Sequence, residues 1–296
     1  MTARQVQTEK APAPSRSRFG GLNWRRMMTI CRTDLRQLRQ ARDFWGPMVA
    51  IGVLFFLVIP LVLLLCIRLI GSAPTVANIA RTLDILPEGA QAKLRGGTPG
   101  ARTSFALAVY LLAPVAVVVP LTISSAIGAA TIVGERERGT GEFLAHSPAG
   151  TSEIYLGKLL ASLLPGYATV FVGFGLYSLL VNVIVGPQVG GWFFPTKEWW
   201  VLVTWVIPPF LALGLSIVLR LSAKVKSTMA AQQASGLISL PLILISYTQT
   251  TGALFGSGVG VGLAVGTVAW AVAIFSLWRG VRSMSRSRLL GVANEM

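Results

Sequence analysis

Histidine occurs once in the 296 residues, at His146, and cysteine twice, at Cys31 and Cys66. That supply offers no metal-ligand spacing, and two cysteines at different depths of the chain give no expectation of a disulfide. Asp and Glu together number only 11, and none lies inside a long apolar run. The ionisable group that ion-coupled carriers hold at membrane depth is therefore missing. No HExxH, no GxSxG and no paired catalytic carboxylates appear, which removes the intramembrane chemistries that need a metal, a nucleophile or a base. Charged residues make up 12% of the chain, about half of the ~25% of an ordinary soluble domain. Residues 1–44 hold no apolar core of signal-peptide type.

Apolar sequence fills the space that charge leaves, at 53% of residues. It comes as runs of membrane-crossing length rather than as one amphipathic core. The expected fold is an all-α polytopic membrane protein with six spans at roughly 45–70, 104–133, 157–185, 199–221, 228–248 and 257–278. Together they form one transmembrane domain over 45–278. Most spans contain proline, at Pro60, Pro114, Pro120, Pro165, Pro208, Pro209 and Pro241, so kinks are expected, with packed neighbours satisfying the freed carbonyls. The net charge of +15 brackets the spans and so points away from nucleic acid. With the N-terminus inside, 20 of the 26 Lys and Arg fall in cytoplasmic segments. The expectation is a cell-membrane protein, prokaryotic in character, with both termini cytoplasmic. Trp192, Phe193, Phe194, Trp199 and Trp200 read as anchors at an outer boundary.

Residues 1–20 are rich in Pro, Ala, Ser and Arg and are expected to be a disordered cytoplasmic tail; 279–296 form a second cytoplasmic tail. Segment 21–44 reads as an interfacial helix. Trp24, Met27, Met28, Cys31, Leu35 and Leu38 share one arc, and Arg25, Arg32, Arg36 and Arg39 flank it, placed for lipid phosphates. In the outer loop 71–103, Ile79, Leu83 and Leu86 suggest a short helix, and Glu88 suits the first turn of a second. Polar residues inside spans are uncharged. Ser125, Asn182, Gln232, Gln233 and Tyr247 read either as interhelical hydrogen-bonding groups or as the lining of a substrate path. Gly258, Gly262 and Gly266 form a small-residue stripe for close helix packing.

Loop 134–156 is longer than a turn requires. "ERERGTGEFLAHSP" reads as a short helix in which Glu142 pairs with Arg138 at i,i+4, with Phe143 and Leu144 uncovered. Pro148 stops it, Thr151 or Ser152 caps the next helix, and Lys158 sits at the membrane border. "GTSEIYLGKLL" is not a phosphate loop: six residues separate Gly150 from Gly157 where the motif has four, and Leu159 follows the lysine.

The run "GERERGTGEFLAHSPAGTSEIYLGKLLASLLP" resembles the G-E-R-E-x-G-T-x-E-x-L-L-x-x-P-x-x-x-x-E-I-x-x-G-K stretch of ABC-2 type permeases, the membrane subunits of ABC exporters. It departs at Gly141 and Ala145. "SAKVKSTMAAQQASGLISLP" is similar to the same family's fourth-to-fifth span region. The resemblance implies that helix 137–147 is a coupling helix seated in an ATP-binding subunit, with Glu135, Glu137, Arg138, Glu142, Phe143 and Leu144 carrying the contact. It implies that 22–42 is the connecting, or elbow, helix. It also implies a second permease copy or a homologous permease, with ATP and Mg2+ held by the partner subunit and no cofactor in this chain. Wide apolar spans suit an amphipathic or lipophilic substrate moved outward. The other reading left open is a membrane-embedded enzyme or scaffold without an ATPase partner.

Overall fold

The computed structural model describes residues 22–71, 73–84, 88–137, 147–222, 233, 240, 244 and 258–283. Among them, five helices are long and apolar enough to cross a membrane: Trp45–Leu69, Pro99–Thr131, Thr151–Ile184, Lys197–Leu221 and Val259–Arg282. They correspond to expected spans 1, 2, 3, 4 and 6, and are called spans 1 to 4 and the last span below. Most of expected span 228–248 lies outside the described residues, although Gln233, Leu240 and Leu244 within it are helical and exposed. Spans 2 and 4 are the interior helices, each 67% buried across its most apolar window; span 1 and the last span, at 22% and 28%, are peripheral.

Proline shapes these helices by a common device. Each of three π-helical turns, Leu54–Val58, Leu107–Leu111 and Leu202–Val206, lies just before a proline: Pro60, Pro114, and the pair Pro208 and Pro209. Proline offers no N–H to the carbonyl four residues back, and its ring crowds that carbonyl. Widening the preceding turn relieves the contact. Carbonyls released inside a membrane need donors, and aromatic side chains supply them. Tyr177 donates its hydroxyl to Ala108 O (2.6 Å), Trp199 its indole N–H to Val109 O (2.8 Å), and Tyr167 its hydroxyl to Val203 O (3.1 Å). Trp199 is thus a buried core residue, 3% exposed, rather than an outer anchor. Phe194 is buried with it, whereas Trp192 and Trp200 stay exposed. Pro47, Pro120 and Pro165 sit inside α-helical segments without such a turn.

The lead-in helix runs Trp24–Gln40. It stops at Ala41, whose backbone leaves the helical region while its N–H still donates to Gln37 O and Leu38 O, and the helix that leads into span 1 begins at Arg42. In loop 71–103, helix Pro74–Asp84 holds Ile79 and Leu83 as expected, and Glu88 opens the single turn Glu88–Gln91, while Leu86 lies outside the described residues. An Asp84–Arg102 ion pair fixes the first of them to the base of span 2. Span 3 is one helix of 34 residues. At about 1.5 Å per residue it is roughly 51 Å long, well beyond a ~30 Å hydrocarbon core. It therefore starts earlier than expected, at Thr151, and carries Glu153 and Lys158 on the helix itself. Span 2 likewise begins at Pro99, and its helix continues to Glu137.

Candidate functional site

The richest polar construction among the described residues lies where the lead-in helix crosses the start of span 3. Glu153, 7% exposed, divides its carboxylate between two backbones. Oε2 accepts from Gly150 N at 2.8 Å, and Oε1 accepts from Asn23 N at 2.9 Å. One side chain thus satisfies an orphan donor at the start of span 3 and holds the start of another helix 130 residues away in sequence. The capping position of span 3 is Gly150, not Thr151 or Ser152. Asn23 caps the lead-in helix, its Oδ1 accepting from Arg25 N (3.1 Å) and Arg26 N (3.4 Å). Arg26 Nη1 then donates to Pro148 O at 2.9 Å, gripping the exit of the 138–146 segment.

One turn further along, the helices nearly touch. A Cβ placed on Gly157 would stand 3.0 Å from Ile30 Cβ and from Met27 O. Only glycine lets the two backbones approach so closely without displacing a neighbour. Beside this crossing, Lys158 is wholly buried. Its Nζ donates to Thr131 O of span 2 at 2.8 Å and lies 3.6 Å from Asp34 Oδ2, with the two side chains 1% and 8% exposed. A buried ammonium needs such a partner, because an unpaired charge there is prohibitive. Asp34 also reaches Cys31: burial first, and the Asp34 carboxylate second, push that thiol above its ordinary range, against a smaller opposing effect of Arg32. A thiol that stays protonated and fully covered is inert packing.

A second buried network starts from the same stretch of span 3. Tyr155 OH pairs with Ser216 Oγ (2.9 Å), Ser216 Oγ with Ser276 Oγ (3.1 Å), and Arg220 Nη2 donates to Ser276 Oγ (2.7 Å). It joins span 3 to span 4 and the last span. Together the two networks tie the lead-in helix and four of the described spans at one common end. No three His, Cys, Asp or Glu side chains among the described residues gather where they could hold a metal. What the two networks offer is mechanical linkage between helices.

The expected site residues distribute unevenly around this latch. Glu135 and Glu137 lie on the span 2 helix, ahead of any separate coupling helix. Arg138, Glu142, Phe143 and Leu144 lie outside the described residues, as does the expected helix 137–147 apart from its ends. The apolar arc of the lead-in helix is divided. Met27 and Cys31 are buried against span 3, with Ile30 packed beside them, whereas Met28 and Leu35 are half-buried and Trp24 is 62% exposed. Arg25, Arg32, Arg36 and Arg39 are exposed on the flank.

Of the residues read as a path, Ser125 is buried inside span 2. Asn182 is at the opposite end, where its Nδ2 donates to Ser178 O and Phe194 O and its Oδ1 accepts from Phe193 N and Phe194 N, at 2.6–3.1 Å. All four hydrogen-bonding positions of that amide are occupied by backbone, so it clamps the loop between spans 3 and 4 and has no capacity for a passing molecule. Gln233 is exposed, and Gln232 and Tyr247 lie outside the described residues. Gly266 does mark close packing, against Trp205 of span 4.

Asp34, Tyr155, Ser216, Arg220 and Ser276 were not singled out by sequence reasoning. Asp34 had a signal: it is the sole acidic residue of segment 22–42 and falls beside Met27 and Cys31 on the covered face, where an unpaired carboxylate has no place.

Helices of this length and apolarity, bound at one end into a buried polar junction, define a multi-pass helical membrane protein. The chain belongs to the ABC-2 transporter family: the profile described as "ABC-2 family transporter protein" matches residues 28–271. It is accordingly a membrane component of an ABC transporter, a class that works with an ATP-binding partner. No curated protein matches the chain.

Proposed function

We propose that this chain is the permease subunit of an ATP-driven exporter, pairing with a second permease and taking its power from a separate ATP-binding subunit. The observation that carries the reading is the double grip of Glu153 on Gly150 and Asn23. The segment expected to dock the ATPase, helix 137–147, leaves into a backbone held by the same carboxylate that holds the lead-in helix. A push on that segment moves span 3 and the lead-in helix together. Lys158 passes the motion to span 2, and Tyr155 passes it to span 4 and the last span. Two packings of such a junction, one for each nucleotide state of the partner, are what alternating access requires. The substrate class that fits the uncharged spans is amphipathic or lipophilic.

The test is reconstitution of the chain with its ATP-binding subunit in lipid discs, followed by a compound screen for stimulated hydrolysis. The expected result is background hydrolysis by the chain alone and substrate-stimulated turnover by the complex. Saturable hydrolysis by the clean chain, or failure of any ATP-binding subunit to associate, would favour the enzyme or scaffold reading.

A further inference from the structure

Span 1 leaves the lead-in helix and ends at Leu69, while spans 2 and 3 meet the latch at Thr131 and Glu153. At the opposite end of the same three spans lies an open cavity of about 600 Å³, within the ~300–1,000 Å³ of small-molecule pockets. Its wall joins the end of span 1, helix Pro74–Asp84, the start of span 2 and the short helix Gly186–Val189, and includes Ile67, Arg68, Leu69, Ala77, Thr98 and Gln188. Gly71 and Gly100 bring two of these segments together: a Cβ on Gly100 would stand 3.2 Å from Gly71 Cα. The backbones meet there with no side chain to fill the space beside them.

The polar groups on this wall favour an acceptor. Arg68 is exposed, and no carboxylate among the described residues pairs with it. Asp84, the acidic residue nearest to it in sequence, is held by Arg102 instead. Thr98 Oγ1 accepts from Ala101 N at 3.2 Å, which leaves its O–H to donate. Gln188 uses one amide N–H on Ile184 O at 3.2 Å and keeps the other.

One guanidinium and two neutral donors, with no acid on the wall, suit a phosphate or carboxylate, whose paired oxygens match the guanidinium fork. A bare inorganic anion would leave Ile67, Leu69 and Ala77 against water, whereas a ligand with an apolar part covers them. We propose that this cavity binds the acidic head group of an amphiphile, with Arg68 taking the charge and Ile67, Leu69 and Ala77 the start of the tail. The site stands on the cavity itself; the transport reading adds only that this end of the spans faces outward. The same head group is carried by a membrane phospholipid and by a single-chain amphiphile in transit.

The experiment is equilibrium dialysis of labelled decyl phosphate against the full chain in phosphatidylcholine discs, with empty discs subtracted and decyltrimethylammonium as the cationic control. The wild-type chain is expected to take up one decyl phosphate saturably and the cation only in proportion to its concentration. Arg68→Gln removes the charge from an exposed position and is expected to weaken binding about ten-fold or more, as loss of a charge-assisted contact does. Ala77→Trp fills the cavity from a half-buried lining position and is expected to abolish saturable uptake. Both are expected to elute as wild type, since neither residue belongs to the buried core. Equal uptake of the two probes by the wild type, or wild-type binding in either variant, overturns the site. Native mass spectrometry of the chain from phosphatidylglycerol discs assigns the source. A retained phosphatidylglycerol that Arg68→Gln loses identifies a phospholipid head; none retained, beside saturable decyl phosphate binding, identifies a single-chain amphiphile; both uphold the site. No ATP-binding subunit is present, so a failed site leaves the transport reading standing, and a failed reconstitution leaves the site.

Discussion

Removing the ammonium of Lys158 tests whether the junction is an interacting unit. The Nζ to Asp34 Oδ2 distance is 3.6 Å, with both side chains all but closed to solvent. At an effective dielectric of about 20, two unit charges at that separation attract by roughly 4–5 kcal/mol. Dehydration of both groups offsets much of this, so the pair adds little net stability over a neutral replacement. The asymmetry is informative. Lys158→Met leaves Asp34 buried without its counter-charge and Thr131 O without its donor, and is expected to cost about 3–5 kcal/mol. Asp34→Asn strands the ammonium and is expected to cost a similar ~3–5 kcal/mol. The double variant removes both charges and is expected to cost only about 1–2 kcal/mol, a coupling of several kcal/mol between the sites.

The assay is equilibrium unfolding of the purified chain in mixed micelles, followed by tryptophan fluorescence, at low and high salt. A buried pair keeps its coupling at ~1 M salt, where the Debye length is about 3 Å, whereas an exposed pair loses it. Single costs that add in the double to within ~0.5 kcal/mol, or coupling that salt abolishes, would refute the argument that this pair seats the lead-in helix.

Gly157→Leu drives a side chain into Ile30 and Met27, so the lead-in helix is expected to lift; maleimide labelling of Cys31, slow in the wild type because the buried thiol is held protonated, should rise at least ~10-fold at pH 8. Asn182→Leu strands two N–H groups and a carbonyl of the loop between spans 3 and 4, with an expected loss of about 2–4 kcal/mol in the same unfolding assay; a loss under ~0.5 kcal/mol would show that water replaces the amide. Cysteines at Gly97 and Ser227 are expected to label from outside and inside respectively in intact cells, and the reverse pattern refutes the topology. Phe143→Ala is expected to lose roughly 1–3 kcal/mol of docking to the ATP-binding subunit, as a buried interface anchor would, and Glu142→Lys to weaken co-purification. Wild-type assembly with both substitutions would reduce segment 138–146 to a spacer.

The span count rests on apolar length, which depends on composition alone, and so spans 1 to 4 and the last span were legible within a few residues. The lead-in helix was legible as a helix because its apolar residues recur with helical period. Which part of its arc meets protein and which is left outside was not, because periodicity does not distinguish a helix neighbour from lipid. The covering of Lys158 was not legible for a related reason: a lysine at the end of an apolar run ordinarily reaches water, and only Asp34, 124 residues earlier in the numbering, changes that. Trp199 was misread, and the role of Asn182 left open, because their partners are backbone atoms. Val109 O is free only because Pro114 lies downstream, and that geometry has no letter in the sequence.

The family-like run 134–158 divides physically at Pro148. Its second half is explained by contacts within this chain: Glu153 binds two backbone N–H groups, Gly157 gives passage to Ile30, and Lys158 joins Asp34 to Thr131. Under the transport reading, docking therefore falls to the first half, and the helix that would receive the thrust suits the task. Span 3 is continuous over 34 residues, without a π turn, and connects the latch at Glu153 to the outer clamp at Asn182. Spans 1, 2 and 4 each contain a π turn near a proline, where bending costs less than in a regular helix. Under the transport reading, span 3 is the stiff member and its neighbours are the compliant ones. A displacement entering at Gly150 therefore arrives at Phe193 and Phe194 with little loss, while spans 1, 2 and 4 flex around it.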